Sequence, residues 1–127
     1  MSRSLEQVIL ANARALLDNE SRWTSGAWAR DAQGVRCDPL APEAVRWCAV
    51  GALEVSAFGL IGEKRQAKVI AKRIAKQIAP GPGGLVYINE CGPHDAVKQA
   101  LRASGTLPAS VLAGCDRHGF GPFSRRV

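Results

Sequence analysis

The chain has 127 residues, of which 46% are hydrophobic, so it is long enough for one domain with its own core and too apolar for a disordered segment. A formal net charge of +6 and a pI of about 9.6 favour an anionic partner, either a small molecule or nucleic acid, although a solvated basic face is the alternative. No apolar run approaches the roughly 18 residues that cross a bilayer, and no signal peptide is evident. We therefore expect a cytoplasmic protein without a membrane partner, whose four cysteines are reduced thiols.

The first predicted element is an amphipathic helix from Leu5 to Asp18, in which apolar residues recur at helical spacing. Ser4 precedes it as a candidate N-cap, and Gln7 three residues later is typical of a capping box. Beyond the helix, residues 23–38 carry Gly34 at a turn position between two short runs. That pattern fits a small β hairpin and fits an irregular loop equally well.

A second helix is predicted from Ala44 to Leu60, with Pro42 and Glu43 in its first turn. The segment is apolar on most sides, which places it at the centre of the core. Gly51 within it costs about 1 kcal/mol relative to alanine. Either another element crosses the helix closely at this glycine, or the cost is simply tolerated.

A third helix is predicted over Glu63 to Ala79, and the stretch from Pro80 to Gly84 ends it as a linker or flap. The run from Leu85 to Ile88 is strand-like but short. A fourth helix is predicted from Pro93 through Ala103, and a short helical turn follows over residues 107–113.

Together these elements predict a mainly α fold, a single compact domain of about four helices. A small β hairpin or β element is expected at most, contributed by the Trp28 and Tyr87 regions. The domain is expected to span residues 1–118, with residues 119–127 as a basic, mobile tail. The sequence does not indicate the oligomeric state.

The tryptophan-rich region resembles a small bacterial and phage domain of unknown function. The resemblance rests on Trp23-x-x-Gly26-Ala27-Trp28, on Asp31-x-x-Gly34, and on the segment Trp47-Cys48-Ala49-Val50-Gly51-Ala52-Leu53. The family pattern continues with Trp-Asn-Asp before a last amphipathic helix, whereas this chain has Ile88-Asn89-Glu90 there. The resemblance covers roughly residues 5–104 and implies a shared fold, but it transfers no activity.

The leading functional hypothesis is a non-enzymatic accessory or phage-associated binding module that takes a small anion such as a nucleotide. Arginine binds phosphate or carboxylate as a fork, and tryptophan stacks on a base. Alternatively, Arg30 and Asp31 form a structural pair in a turn, and Asn89 and Glu90 satisfy backbone groups or cap the last helix. The predicted ligand-binding residues are Trp23, Trp28, Arg30, Asp31, Trp47, Cys48, Asn89 and Glu90.

The second hypothesis is non-specific nucleic-acid binding through the basic third helix, over residues 63–79. The charged face of this helix has few residues suited to reading base edges, and a solvated face is the plainer interpretation. The cations that would contact phosphates are Lys64, Arg65, Lys68, Lys72, Arg73 and Lys76.

The third hypothesis is a thiol enzyme that uses Cys48. This cysteine is predicted one turn into the second helix, where a lowered pKa would make it a nucleophile and His94 would serve as its base. A buried cysteine that packs as a small hydrophobe is the commoner case, so catalysis is not the favoured expectation.

Two Cys-x-x-His pairs raise the question of zinc. Together they supply four ligands of the types that hold structural zinc, although their spacing fits the common patterns loosely. No cofactor is favoured, and zinc is the alternative to a coincidence among few residues. The pairs are Cys91 with His94 and Cys115 with His118.

Overall fold

The computed structural model describes residues 4–102 of the chain. Within that range it has five α-helices and three short strands, which confirms the mainly α fold. The helices are α1 (Leu5–Leu17), α2 (Ala49–Ile61), α3 (Lys64–Ile78), α4 (Gly84–Cys91) and α5 (His94–Arg102), and the strands are β1 (Ala29–Arg30), β2 (Arg36–Cys37) and β3 (Arg46–Trp47). The predicted domain end at residue 118, the turn at 107–113 and the tail at 119–127 lie outside the described residues.

Helix α1 begins with the predicted capping box. The Ser4 hydroxyl accepts a hydrogen bond from the Gln7 backbone N–H at 3.2 Å, and the Gln7 side chain accepts one from the Ser4 N–H at 3.2 Å. Both bonds satisfy N–H groups that have no partner inside the helix. The buried face of α1 carries Ile9, Ala13 and Leu17 at the spacing that the sequence predicts.

The predicted hairpin is present, and it is part of a three-stranded antiparallel sheet with the order β2-β1-β3. Gly34 has a φ of 83° in the turn between β1 and β2, a conformation that glycine adopts without strain. The Asp31 carboxylate closes the same turn, because one of its oxygens accepts from the Gln33 and Val35 N–H groups at 2.9 Å each.

The predicted start of the second helix at Ala44 is wrong by five residues. Residues 44–48 are extended instead, since the N–H groups of Val45 and Cys48 donate to the carbonyls of Arg30 and Trp28, at 2.9 Å and 3.0 Å. This pairing with β1 overrides the local helical pattern. Helix α2 therefore begins at Ala49, and Cys48 is its N-cap rather than a residue one turn inside it.

Helix α3 confirms the predicted third helix, with Glu63 as its N-cap and Ala79 as its C-cap. The run from Leu85 to Ile88 is helical, so the predicted strand-like character of this segment and of the Tyr87 region is wrong. Four apolar residues do not separate a strand from a buried helix, and α4 buries Leu85, Ile88 and Asn89 at helical spacing. Helix α4 is therefore the fifth helix of the described chain.

The apolar helix α2 lies at the centre of the core, as its composition predicts, and packs against α1, α3 and α4. Seven of its thirteen residues are buried. The sheet covers the N-terminal end of α2, so the loop before β1 and the start of α4 meet there. Within residues 4–102, no helix has the length and apolar character needed to cross a bilayer.

Candidate functional site

The side-chain amide of Asn89 on α4 joins three segments of the chain. Its Oδ1 accepts from the Trp23 indole N–H at 2.8 Å and from the Ala49 backbone N–H at 2.9 Å. Its Nδ2 donates to the Thr24 carbonyl at 3.1 Å and to Glu90 Oε2 at 3.2 Å. Two donors face the oxygen and two acceptors face the nitrogen, so the orientation of the amide is fixed by its partners.

The neighbouring carboxylate of Glu90 extends this network. Glu90 is buried, and its Oε2 also accepts from the Gly26 backbone N–H at 2.8 Å. A hydrogen bond from a backbone N–H to a charged acceptor is stronger than one between neutral groups. Two consecutive residues of α4 thus hold the loop 23–26 against the start of α2.

The Arg30 guanidinium is also bonded within the chain. Its Nε donates to the Thr24 hydroxyl at 2.9 Å, and its two terminal nitrogens donate to the carbonyls of Gly34 and Ser25, at 2.9 Å and 3.1 Å. Asp31 closes the hairpin turn. The hydrogen bonds of both residues correspond to the structural role in a turn that the sequence leaves open as the alternative.

The three tryptophans do not enclose one pocket. The indole N–H groups of Trp23 and Trp47 donate to Asn89 and to the Pro39 carbonyl, and both rings pack partly buried against the core. Trp28 differs from them, since 37% of its surface is exposed. The structure therefore brings Trp23, Asn89 and Glu90 together and places Trp28 on a different surface.

Trp28 lies on the wall of a groove between α3, the following turn and the start of α4. The cavity volume of this groove is about 640 Å³. Its lining is mostly apolar, with three cations of α3 at its edge. The lining residues are Trp28, Val50, Lys72, Arg73, Ala75, Lys76, Ala79, Pro80, Gly81, Gly83, Gly84, Leu85 and Val86.

The three cations at the groove differ in their partners. Arg73 Nη2 lies 3.1 Å from Glu6 Oε2 on α1, which draws its charge toward that carboxylate. Lys72 and Lys76 form no ion pair among residues 4–102. They are exposed and lie one turn apart on α3, so their ammonium groups are available to an anion in the groove.

The Cys48 thiol lies in a poor environment for a nucleophile. Burial raises its pKa to about 12, against smaller opposing effects of the N–H groups of Gly51 and Val50. The thiol at neutral pH is therefore protonated, and the thiolate is the reactive form. These properties support the packing role that the sequence gives as the commoner case.

No hydrogen bond joins Cys48 to the predicted base, His94. The Nε2 of His94 lies 2.6 Å from the Leu17 carbonyl, at the end of α1. The imidazole also lies 5.5 Å from the Trp23 ring, centroid to centroid, with a tilt of 39°. His94 therefore links α5 to α1 and to the tryptophan of the Asn89 network.

We expect a thiol reagent applied briefly to the native protein at neutral pH to label Cys37 and to leave Cys48 unmodified. Both thiols are free, but Cys37 is only partly buried, whereas Cys48 is inaccessible and protonated. Mass-spectrometric mapping of the labelled peptides measures this, and labelling in denaturant, where both cysteines react, is the control. Rapid labelling of Cys48 in the folded protein would restore the thiol-enzyme hypothesis.

The predicted zinc ligands divide between described and undescribed residues. Cys91 is disulfide-bonded, which corrects the expectation of a reduced thiol at this position. Cys115 and His118 lie outside the described residues. No cluster of three or more metal-binding side chains occurs between residues 4 and 102, and zinc binding by the full chain stays a hypothesis.

Fold and site together define a small helical domain in which a buried asparagine secures a tryptophan-rich loop. The chain belongs to DUF6197, a family of unknown function, whose family model matches residues 1–117. No curated protein and no solved structure matches the chain. The family membership agrees with the resemblance to a domain of unknown function, and it brings no activity with it.

Sequence reasoning identified the basic helix and Trp28 but assigned them to separate hypotheses. It did not identify the groove that they share, or Thr24, whose hydroxyl and carbonyl bind Arg30 and Asn89. One available signal was the spacing of Lys72 and Lys76, immediately before the Pro- and Gly-rich turn that borders the groove.

Proposed function

We propose that the protein is a non-enzymatic binding module whose ligand is a small anion with a flat aromatic group, such as a nucleotide. The observation that carries this proposal is the groove lined by Trp28, Lys72 and Lys76. The proposed site is therefore the groove, because the polar groups of Arg30 and Asn89 are occupied by hydrogen bonds within the chain.

The chemistry of the groove suits both parts of such a ligand. The partly exposed indole of Trp28 offers a surface on which a base can stack, and stacking of a base on an aromatic side chain is worth about 1–3 kcal/mol. Lys72 and Lys76 attract phosphate at the edge of the groove. Val50 and Leu85 lie deeper and exclude water from the stacked ring, which strengthens the electrostatic attraction.

Calorimetric titration with ATP tests the proposal. We expect Trp28→Ala to weaken ATP binding roughly tenfold, because the stacking surface is lost. The double variant Lys72→Ala/Lys76→Ala is expected to weaken it by a similar factor, because two charged contacts are lost. Adenosine, which lacks the charge, and tripolyphosphate, which lacks the ring, should each bind more weakly than ATP.

Lys64→Ala is the matched control, since Lys64 is an exposed lysine on the same helix but outside the groove. It should leave ATP affinity unchanged. The proposal fails if ATP does not bind at millimolar concentration, or if Trp28→Ala binds ATP as well as the unmodified protein does.

Nucleic-acid binding is the second candidate, favoured by the exposure of all six cations of the predicted basic helix on α3. A duplex oligonucleotide should then bind with an affinity that falls steeply with salt. Lys64→Glu/Lys68→Glu, outside the groove, should weaken oligonucleotide binding and spare ATP binding. The opposite pattern, with sensitivity to Trp28→Ala, identifies the groove as the site.

A further inference from the structure

A buried carboxylate on α2 has no hydrogen-bonding partner. Glu54 is 7% exposed, yet its side chain forms no hydrogen bond and no ion pair with any residue from 4 to 102. It lines a second cavity of about 320 Å³, separate from the groove. Buried carboxylates are normally paired or hydrogen-bonded, because the loss of hydration is costly.

The environment of Glu54 disfavours its charge. Burial raises the pKa of Glu54, and the carboxylate of Asp38 raises it further, whereas the ammonium groups of Lys68 and Lys72 lower it. These lysines are too far from Glu54 for an ion pair, so they compensate the burial only partly. A ligand that brought N–H donors to this carboxylate would remove the cost.

The rest of the cavity carries charges of both signs. Its other lining residues are Asp38, Leu40, Lys64, Arg65 and Lys68. Three cations around two carboxylates repel a divalent metal ion, and the carboxylates repel a simple anion. A molecule with one positive and one negative group is complementary to both parts of the lining.

We propose that this cavity is a second binding site, for a small zwitterion with an ammonium and a carboxylate group, such as a free α-amino acid. The ammonium donates to Glu54 and Asp38, and the carboxylate contacts Lys64 and Arg65. Leu40 supplies an apolar surface for the side chain of the ligand. The site lies on the first half of α3, whereas the groove uses the second half, so the two proposals are independent.

Titration of the intact protein with each of the twenty protein amino acids, followed by NMR, tests the site. We expect at least one to bind, and its N-acetyl derivative, which lacks the ammonium group, to lose at least tenfold in affinity. Glu54→Gln should cause a comparable loss, because it removes the charge while keeping the shape of the side chain. ATP binding in the groove should be unchanged in this variant.

Thermal melting separates loss of the site from loss of the fold. The pKa of Glu54 is raised in the folded state, so its charged form lowers stability at neutral pH, and this penalty disappears as the pH falls through that pKa. Glu54→Gln should therefore melt at or above the temperature of the unmodified protein. Lys64→Ala/Arg65→Ala, at exposed positions, is the second variant and should also weaken amino-acid binding.

Two results would overturn the zwitterion site. One is the absence of binding by all twenty amino acids at millimolar concentration. The other is a lower melting temperature of Glu54→Gln at neutral pH without any loss of amino-acid binding, which would identify Glu54 as a structural partner of Lys68.

Discussion

Replacing Asn89 with alanine is expected to lower the free energy of unfolding by about 4 kcal/mol. The substitution leaves the Trp23 indole N–H, the Ala49 N–H and the Thr24 carbonyl without their partner. Each buried group left unsatisfied costs about 1–3 kcal/mol, and water that enters the space recovers part of the sum. Urea denaturation followed by circular dichroism measures the change.

Asn12→Ala provides the matched control for this prediction. Asn12 is exposed on α1 and forms no hydrogen bond through its side chain within the described chain, so its replacement should change stability by less than about 0.5 kcal/mol. Asn89→Asp should be destabilising as well, because an oxygen would replace the nitrogen that faces the Thr24 carbonyl and Glu90. A loss below about 1 kcal/mol in Asn89→Ala would show that the network contributes little.

Gly51→Ala is expected to lower the free energy of unfolding by about 2 kcal/mol, although alanine is the better helix former. A Cβ atom at this position would lie 2.4 Å from the Trp28 carbonyl oxygen. That oxygen belongs to the backbone and accepts from the Cys48 N–H, so relief requires the sheet to move away from α2. The strain is expected to exceed the gain of about 1 kcal/mol in helix propensity.

Gly59 on the same helix offers the opposite case. A Cβ atom there would meet nothing within 4 Å, so Gly59→Ala should raise stability by about 0.5–1 kcal/mol. Chemical denaturation of both variants gives the comparison. Equal effects of the two substitutions would contradict the close crossing of α2 by Trp28.

Local signals in the sequence predicted those elements whose stabilising contacts are also local. The capping box of α1 links Ser4 and Gln7, and the turn at Gly34 is closed by Asp31 nearby. The amphipathic pattern of α3 likewise gave nearly the correct ends. In each case the residues that decide the structure lie within one or two turns of each other.

Two elements were mispredicted because distant contacts decide them. Residues 44–48 pair with β1, although their composition suits a helix. Helix α4 begins after a Gly-rich turn and has an apolar run too short to define a period. Packing against α2, α3 and α5 determines its conformation, and the sequence does not show which elements will be its neighbours.

The candidate site was predictable only in its composition. Sequence reasoning selected Trp28, Lys72 and Lys76, but not their common groove, because that depends on where α3 lies relative to the sheet. It also selected Asn89 without showing that its amide is bonded entirely within the chain. A polar side chain in a motif looks the same in the sequence whether its partner is a ligand or a distant backbone group.

The Asn89 network has a consequence for the order of folding. Asn89 bonds to Trp23 and Ala49, which precede it by 66 and 40 residues. Closing such long loops costs chain entropy before any bond forms, whereas α2 and α3 are adjacent in sequence and can pair early. We therefore expect the α2–α3 hairpin to form first and the attachment of α4 to the loop 23–26 to be among the last steps.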